Sequence, residues 1–352
     1  MADILDGILA KVEKKYGSGV LNGRARDTFS GEARPTPIST GSLRLDWAIG
    51  GGEEFGGIYR RRITTVYGSK STGKTTLANS VIANAQRQGC KAILVELEEK
   101  YDKVYAEACG VDLDELIFLH TISDDDKIQV ITGEEVLTIL LQVVMSKAVD
   151  LVVIDSISGL SPKLELNGEI GESFPALQAR LVTKFIRKIP PYLARNNVAL
   201  LINNQVRSNF GGTSFEAHYT MPGAYGLKHG TAVLIKAAHA YVNKQYRLKS
   251  GDEFVGSRAR FFVEENQIAN PYQSADVPII SGSGFDTAME ILSFAGEVDF
   301  ISKKGSWYYY FDEHGEEVML AQGETAAAEV LRESPALLES LKGRVVERMS
   351  AK

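Results

Sequence analysis

The stretch YGSKSTGKTTL, residues 67–77, constrains the fold more than any other part of the chain. A short β-branched run, ITTV, precedes it, and the segment after it places Leu77, Val81 and Ile82 at helical spacing. A loop of the pattern G-x-x-x-x-G-K-[ST] between a strand and a helix is typical of phosphate-binding loops. The sequence therefore predicts a strand–loop–helix unit that binds a nucleoside triphosphate.

The residues of this loop have separate predicted roles. Gly68 and Gly73 allow the backbone to curl so that several N–H groups point at one spot, where the helix adds its positive N-terminal end. Lys74 is expected to neutralise β- and γ-phosphate oxygens, and the Thr75 hydroxyl to bind Mg²⁺. The predicted phosphate-binding run is Gly68, Ser69, Lys70, Ser71, Thr72, Gly73, Lys74, Thr75 and Thr76.

Composition limits the remaining possibilities. Of 352 residues, 44% are hydrophobic and 24% are charged, as in ordinary globular proteins, and the formal net charge is −6. An acidic chain is not a uniformly basic nucleic-acid binder, so contacts with DNA require local basic patches. The two cysteines lack metal-ligand or disulfide spacing, and no apolar run reaches membrane-spanning length. The acidic start of the sequence is not expected to act as a signal peptide. We therefore expect a cytoplasmic protein without a membrane partner.

Strands and helices alternate along the middle of the chain. Strands are predicted at residues 63–67, 92–97, 151–155, 199–204, 232–242 and 258–265, and helices at 75–88, 102–109, 134–146 and 174–195. This alternation predicts an α/β fold with a mostly parallel, twisted sheet flanked by helices, and the last two strands are expected to extend it as a hairpin. From about residue 285, a strand at 307–311 and helices at 325–332 and 335–349 predict a small α+β domain.

The N-terminal residues 4–16 carry apolar side chains at helical spacing. A polar, glycine-rich segment to about residue 34 separates this predicted helix from the rest of the chain. Such a helix must bury its apolar stripe on its own domain or on a neighbouring subunit. The residues alone leave both possibilities open.

Polar residues at strand ends are candidates for the chemistry of hydrolysis. Asp155 ends the apolar run DLVVID, where a carboxylate can hold Mg²⁺ beside the phosphate loop. Glu96, Glu98 and Glu99 lie near the end of another strand, and any of these carboxylates could activate the attacking water. A third strand ends in Asn203, Asn204 and Gln205, and any of these amides could sense the γ-phosphate.

Two features favour contacts with DNA despite the acidic composition. Arg180, Lys184, Arg187 and Lys188 recur at three- and four-residue steps on one helical face, which forms a local cationic stripe. Residues 206–226 form a long glycine-rich segment with several aromatic side chains, and such segments suit stacking on bases.

Together these stretches resemble the RecA family of recombinases over nearly the whole chain. The similarity also covers STGSLRLDWAIGGG (39–52), VDLVVIDSISGLSPKLELNGEIGES (149–173), INNQVR (202–207), GLKHGTA (226–232) and GSWYYYF (305–311), in family order. The resemblance implies a RecA-like P-loop NTPase core at residues 34–284. It also implies an N-terminal polymerisation helix with its linker at 1–33 and a small α+β C-terminal domain at 285–352.

The resemblance also assigns roles to individual residues. It identifies Glu98 as the catalytic glutamate acting with Lys74 and Gln205, Asp102 and Tyr105 as adenine contacts, and Thr75 and Asp155 as metal-binding residues. The first DNA-binding loop would be residues 165–172 and the second 206–226. The implied DNA contacts are Glu165, Gly168, Ile170, Gly171, Arg180, Thr183, Arg187, Arg207, Asn209, Phe210, Gly223, Ala224 and Tyr225.

The function implied by the resemblance is ATP-dependent homologous recombination. The chain would use ATP and Mg²⁺, form filaments on single-stranded DNA, pair it with homologous duplex and exchange strands. Single-strand-binding protein and mediator proteins are expected partners. The alternatives are a ring-forming motor of the same fold, such as a hexameric helicase, and a filament that hydrolyses ATP only as a timer.

One segment departs from the family pattern. Two lysines that reach the γ-phosphate of a neighbouring subunit in bacterial members align with Glu265 and Gln267. Oxygen ligands at these positions suit a potassium ion or a second divalent ion, which we expect to bridge Glu265 to the neighbouring γ-phosphate. Lys228 with His229 is the competing source of positive charge.

Overall fold

The computed structural model describes residues 2–17, 35–122, 130–169, 172, 174, 176–208, 219–220, 224–241, 246–250 and 253–351. The chain separates into two compact units, residues 1–36 and 37–352. The first unit contains helix α1, Ala2–Tyr16, which ends at the left-handed Gly17. The side chains of Ile8 and Tyr16 on this helix are exposed.

The second unit alternates strands and helices, as predicted. Its helices are α2 (Leu43–Ile49), α3 (Lys74–Arg87), α4 (Lys103–Ala108), α5 (Gly133–Ser146), α6 (Lys163–Asn167), α7 (Leu177–Lys188), α8 (Pro190–Asn196), α9 (Ala224–Gly230), α10 (Thr287–Glu297), α11 (Glu324–Glu333) and α12 (Pro335–Ser350). Its strands are β1 (Pro37–Ile38), β2 (Ile58–Tyr59), β3 (Ile63–Gly68), β4 (Ala92–Glu96), β5 (Ile117–Leu119), β6 (Leu151–Asp155), β7 (Ala199–Gln205), β8 (Arg207–Ser208), β9 (Tyr219–Thr220), β10 (Val233–His239), β11 (Arg247–Ser250), β12 (Glu253–Asn266), β13 (Ser274–Ile280), β14 (Gly284–Phe285), β15 (Ile301–Lys304), β16 (Trp307–Phe311) and β17 (Glu317–Gln322).

A large mixed sheet organises this unit. Its strand order is β14-β13-β12-β10-β3-β7-β6-β4-β5, and β11 pairs with β12. The strands from β10 to β5 are parallel to one another, whereas β11 to β14 pair antiparallel. In register, Gly68 lies opposite Gln205, and Glu96 lies opposite Asp155. The carboxyl ends of β3, β7, β6 and β4 therefore meet at one edge of the sheet.

Helices cover both faces of the sheet, as the alternation predicted. On one face, Leu77, Val81 and Ile82 of α3 are buried against the sheet in the first core. The second core packs α5, α7 and α8 on the other face, with Leu140 and Phe185 among its buried residues. In the described ranges, no helix is both long enough and apolar enough to cross a bilayer.

The single helix predicted at 174–195 is wrong. The structure has α7 and α8 there, because Pro190 and Pro191 cannot donate N–H groups to a continuing helix and their rings clash with the preceding turn. Parts of both predicted DNA-binding loops are helical in the structure. Glu165 of the first lies within α6, and Ala224 and Tyr225 of the second lie within α9.

The C-terminal residues form a third core around a three-stranded antiparallel sheet, β15-β16-β17. Helices α10, α11 and α12 pack on one another within it. Leu43 and Trp47 of α2 also pack against this core. The C-terminal residues thus share packing with the segment that precedes the phosphate loop.

Two buried carboxylates fix the loop before α2. The Oδ1 atom of Asp46 accepts hydrogen bonds from the N–H of Thr40 (2.8 Å) and its hydroxyl (2.7 Å), and Oδ2 accepts one from the Ser39 hydroxyl (2.6 Å). Glu290 of α10 accepts the N–H groups of Leu43 and Arg44, at 3.2 and 3.1 Å, and the hydroxyl of Ser42.

This loop also contacts the helix that follows the phosphate loop. A Cβ added at Gly41 would lie 2.1 Å from the hydroxyl oxygen of Ser80 on α3, and the φ angle of Gly41 is +86°. Glycine is therefore required there by both conformation and close approach. Through this loop, α3 and α10 are held in one packed unit.

Asp46 makes the stability of this unit depend on pH. Burial raises the pKa of the Asp46 carboxyl to about 7 from a reference value of 3.8, against the lowering effect of its bonds with Ser39 and Thr40. The folded chain thus holds this proton more tightly than the unfolded chain, so the stabilisation is present below about pH 4 and is lost as the pH rises through about 7.

We predict that Asp46→Asn flattens this dependence. An asparagine oxygen can accept both bonds from Thr40, while its NH₂ group donates to Ser39. The melting temperature of the wild type should fall by several degrees, relative to that of Asp46→Asn, between about pH 5 and about pH 8. Asp46→Ala should lower the melting temperature at every pH, because it leaves buried donors unpaired. Parallel melting curves for wild type and Asp46→Asn would contradict the assignment.

Candidate functional site

The phosphate loop connects β3 to α3 with two glycines used for different reasons. Gly73 has a φ angle of +89°, in the left-handed region that favours glycine. Gly68 is required by close approach instead, because a Cβ there would lie 2.1 Å from the carbonyl oxygen of Ala237 on β10. Helix α3 has no side-chain cap at its N-terminus, so the N–H groups of its first turn remain suited to an anion.

Lys74 is held inside this loop. The side chain is only 7% exposed, and its Nζ atom donates hydrogen bonds to the carbonyl oxygens of Gly68 (3.0 Å) and Ser69 (2.6 Å). Burial lowers the pKa of the Lys74 ammonium, while the nearby carboxylates of Asp155 and Glu98 act in the opposite direction. Two backbone carbonyl oxygens therefore hold the Lys74 ammonium at the phosphate loop.

Thr75 and Asp155 come together as a pair of hard oxygen ligands. The Thr75 hydroxyl donates a hydrogen bond of 2.8 Å to the Oδ2 atom of Asp155. Burial raises the pKa of the Asp155 carboxyl, so a nearby divalent cation would stabilise its ionised form. Among the described residues, no cluster of three or more His, Cys, Asp or Glu side chains could hold a metal by itself. These two oxygens fit Mg²⁺, which commonly combines few protein ligands with water and phosphate.

The three candidate glutamates differ in their contacts. The buried carboxylate of Glu96 accepts the backbone N–H groups of Glu98 (3.0 Å) and Lys100 (3.3 Å), so it shapes the loop. Glu99 accepts the hydroxyl of Thr121 at 2.7 Å. Glu96 and Glu99 therefore have contacts away from the phosphate loop, and the catalytic role of Glu98 remains a prediction.

Glu98 lies between two other site residues. Its Oε1 atom accepts a hydrogen bond from the amide of Gln205, at the end of β7, and one of 2.7 Å from the hydroxyl of Ser156. Asn203, on the same strand as Gln205, donates a hydrogen bond of 3.1 Å to the carbonyl oxygen of Lys74. The site is thus a connected network across four strand ends.

A cavity of about 520 Å³ encloses these groups. Glu98, Gln205 and Asp155 line it together with residues of the phosphate loop. Its lining also includes residues that the sequence analysis missed: Lys100, Tyr101, Ser257 and Ile279. Lys100 and Tyr101 directly follow the glutamates and could have been found by proximity in the sequence, whereas Ser257 and Ile279 lie on the distant strands β12 and β13.

The predicted adenine contacts have other partners in this structure. The Asp102 carboxylate caps α4 by accepting the N–H of Tyr105 at 3.0 Å. The Tyr105 hydroxyl lies 2.7 Å from the hydroxyl of Thr76 on α3. Burial raises the pKa of Tyr105 to about 12, so its hydroxyl remains protonated at neutral pH. Contact of these two residues with adenine remains a prediction.

The predicted DNA face contains an exposed basic stripe. Arg180, Lys184, Arg187 and Lys188 are all exposed on α7, and with Ala179 and Thr183 they line one shallow groove. The hydroxyl of Thr183 donates a hydrogen bond to the carbonyl oxygen of Ala179 at 2.7 Å. Helix α9 packs closely against α7 here: a Cβ added at Gly226 would lie 2.3 Å from the Thr183 hydroxyl oxygen.

Other predicted DNA contacts are only partly described. Ile170, Gly171, Asn209, Phe210 and Gly223 lie outside the described residues. Arg207 lies in β8, at the root of the second loop, and Gly168 follows α6. The assignment of both segments as DNA-binding loops remains a prediction.

Comparison with known proteins identifies the family. The RecA N-terminal domain family matches residues 3–286, and the RecA C-terminal domain family matches residues 289–350. Protein RecA of Thermus thermophilus is 38% identical over 98% of this chain and 94% of its own length. Protein RecA of Symbiobacterium thermophilum is 37% identical over 98% of this chain and 92% of its own length.

The chain belongs to the RecA family. The resemblance stated from the sequence is thereby confirmed, and with it the RecA-like fold. Members of this family are recombinases with DNA-dependent ATPase activity, so the chain is a RecA-type recombinase that uses ATP.

At the segment that departs from the RecA pattern, the structure joins the two candidate residues. The Nζ atom of Lys228 lies 2.9 Å from the Oε1 atom of Glu265, and this hydrogen bond raises the pKa of the lysine. Gln267 donates a hydrogen bond of 3.3 Å to the carbonyl oxygen of Thr231. The Glu265 carboxylate, which the sequence suggested as a metal ligand, is thus paired with the Lys228 ammonium.

We predict that Glu98→Gln slows hydrolysis while ATP binding is retained. The glutamine keeps the size of the side chain and can accept the bond from Gln205, but it cannot take a proton from water. The ATPase rate should fall about 100-fold or more, with the dissociation constant of ATP changed by less than about threefold. Glu99→Gln is the matched control and should hydrolyse ATP normally. A Glu98→Gln variant with the wild-type rate would eliminate Glu98 as the base.

Proposed function

We propose that this chain is an ATP-dependent homologous recombinase that forms filaments on single-stranded DNA, pairs it with homologous duplex and exchanges strands. The observation that carries the proposal is the convergence of Lys74, Thr75, Asp155, Glu98 and Gln205 around one cavity in a RecA-family chain. Base pairing between the two DNAs supplies sequence recognition, so the protein needs no base-specific contacts.

Different residues of the chain have separate roles in ATP hydrolysis. Lys74 and the first turn of α3 bind the phosphates. Thr75 and Asp155 hold Mg²⁺, which neutralises phosphate charge when bound. Glu98 orients the attacking water and accepts its proton, and the Ser156 hydroxyl and Gln205 amide hold the carboxylate in place.

Gln205 connects hydrolysis to DNA. It touches Glu98 and lies directly before Val206, where the second DNA-binding loop begins. A change at the γ-phosphate that moves Glu98 therefore also moves the root of this loop. ATP binding then orders the filament, and hydrolysis releases it.

The exposed stripe on α7 supports backbone contact with DNA. Arg180 and Arg187 are exposed, and Thr183 lies between them on the face lined by the shallow groove. Cations on such a face bind phosphates by releasing counterions, so binding to DNA should weaken with salt. The aromatic residues of the second loop would add stacking on bases.

Helix α1 is the proposed polymerisation element. Its exposed Ile8 and Tyr16 belong to the apolar stripe read from the sequence, which a neighbouring subunit would bury. Deleting residues 1–33 should therefore leave a chain that binds ATP but forms no filaments. Filaments of normal length from this truncated chain would refute the docking role. In cells, single-strand-binding protein and mediators would regulate filament assembly in the cytoplasm.

The recombinase proposal predicts three linked activities. Single-stranded DNA should stimulate ATP hydrolysis, electron micrographs should show helical filaments, and a strand-exchange assay should yield product. Lys74→Ala should lose all three, because the phosphate charge is no longer compensated. Closed rings instead of filaments would favour the helicase alternative. Filaments with DNA-dependent hydrolysis but no exchanged strands would favour the timer alternative.

The ion pair of Lys228 and Glu265 bears on the missing lysines of the subunit interface. A potassium ion bridging Glu265 to a neighbouring γ-phosphate remains our prediction from the sequence. The 2.9 Å contact supports the alternative, in which Lys228 supplies the charge and Glu265 positions it. Both residues are partly exposed, at 54% and 37%, and accessible to a neighbouring subunit.

Salt exchange and three substitutions discriminate between these two sources of positive charge. If Lys228 supplies the charge, DNA-dependent ATPase activity should be equal in potassium and sodium at constant ionic strength. Lys228→Ala should then lower it about tenfold, and Glu265→Gln should lower it less. Stimulation by potassium in the wild type, lost in Glu265→Lys, would support the ion instead.

A further inference from the structure

Three lysines line the candidate ATP cavity: Lys70, Lys74 and Lys100. Lys74 donates to backbone carbonyl oxygens of the phosphate loop, and Lys70 belongs to the loop itself. Lys100 instead lies in the segment after β4, where its Nζ atom is 3.2 Å from the Oε2 atom of Glu98. In the described part of the chain, Lys100 is the cation that forms an ion pair with Glu98.

The backbone N–H of Lys100 is hydrogen-bonded, whereas its side chain is exposed. Its N–H donates to the Oε2 atom of the buried Glu96 at 3.3 Å, in the same loop that positions Glu98. The Lys100 side chain is 72% exposed, whereas that of Glu98 is 22% exposed. The ammonium can therefore shift between the carboxylate and a phosphate in the cavity without moving the loop.

We propose that Lys100 is a catalytic residue that binds the γ-phosphoryl group of ATP from within the same subunit while it remains beside Glu98. This inference rests on the proposed ATPase function and adds a residue to it. Glu98 must approach the γ-phosphoryl group to activate water there. A lysine in contact with Glu98 is consequently within reach of the same phosphoryl oxygens.

The balance of charge supports this role. The lining carries three carboxylates, Glu96, Glu98 and Asp155, against the three lysines. ATP with one Mg²⁺ adds net negative charge, and an ionised Glu98 repels the γ-phosphoryl oxygens. Lys100 offsets this repulsion where it is greatest. When Glu98 accepts the proton of water, its carboxylate becomes neutral and attracts the Lys100 ammonium less. The phosphoryl oxygens then bind Lys100 more strongly.

Lys100 transfers nothing in this scheme. Water forms the new bond to the γ-phosphorus, the bond to the β–γ bridging oxygen breaks, and ADP leaves with the electron pair. The proton of water passes to Glu98. Lys100 contributes charge alone, and the effect should therefore be largest for the transition state.

The test compares the affinity of ground-state and transition-state ligands. Dissociation constants of ADP, and of ADP with aluminium fluoride, are measured by calorimetry for full-length protein with Mg²⁺ and single-stranded DNA. Lys100→Met should weaken the aluminium fluoride complex about 10- to 100-fold, less than for a fully buried donor because the lysine is exposed. The affinity for ADP should change less than about threefold, and Lys100→Arg should restore most of the loss.

Lys103→Met is the matched control. It removes the same charge three residues away, at the start of α4, on an exposed side chain that does not line the cavity. This variant should bind both ligands as the wild type does. Equal weakening of both ligands by Lys100→Met, or no weakening of either, overturns the role of Lys100, as does a Lys100→Arg variant no better than Lys100→Met. A wild-type protein without DNA-stimulated hydrolysis would instead overturn the proposed function.

Discussion

The parallel pairing of β3, β7, β6 and β4 is the constraint on which the candidate site depends. Parallel strands end at the same edge, so four segments far apart in sequence deliver their terminal residues to one place. Gly68, Gln205, Asp155 and Glu96 are the last residues of these strands. The hydrophobic cores on both faces hold the strands in register, and the network of Lys74, Asn203, Gln205 and Glu98 follows from that register.

Residues whose role is local could be predicted from the sequence. The phosphate loop, Thr75 and Asp155 depend on a strand end and a helix start, and the structure places each as expected. Spacing could not choose among Glu96, Glu98 and Glu99, so the prediction of Glu98 as the base rests on the family resemblance. Ser257 and Ile279 were missed because they lie on antiparallel strands whose pairing with the parallel part has no local signal. The break between α7 and α8 could have been predicted, because Pro190 and Pro191 were visible in the sequence.

The carboxylates of the site show how similar side chains acquire different roles. Glu96 is buried, and burial raises its pKa against the lowering effect of the backbone N–H groups that it accepts. Glu96 therefore stabilises the loop after β4 through hydrogen bonds to its backbone. Glu98, two residues later, is more exposed and contacts the side chains of Lys100, Ser156 and Gln205 instead of backbone N–H groups. The difference arises because Glu96 is the last residue of a buried strand, whereas Glu98 lies beyond its end.

The contact of Glu290 with the N-terminus of α2 has a consequence for dissecting the chain. A chain ending before residue 285 would leave the N–H groups of Leu43 and Arg44 without their acceptor and expose the face of Trp47 that packs on the third core. Since the same loop supports α3, the damage would extend to the phosphate-binding helix. The C-terminal residues therefore stabilise the ATPase core, and a truncated protein that lacks them would be unstable.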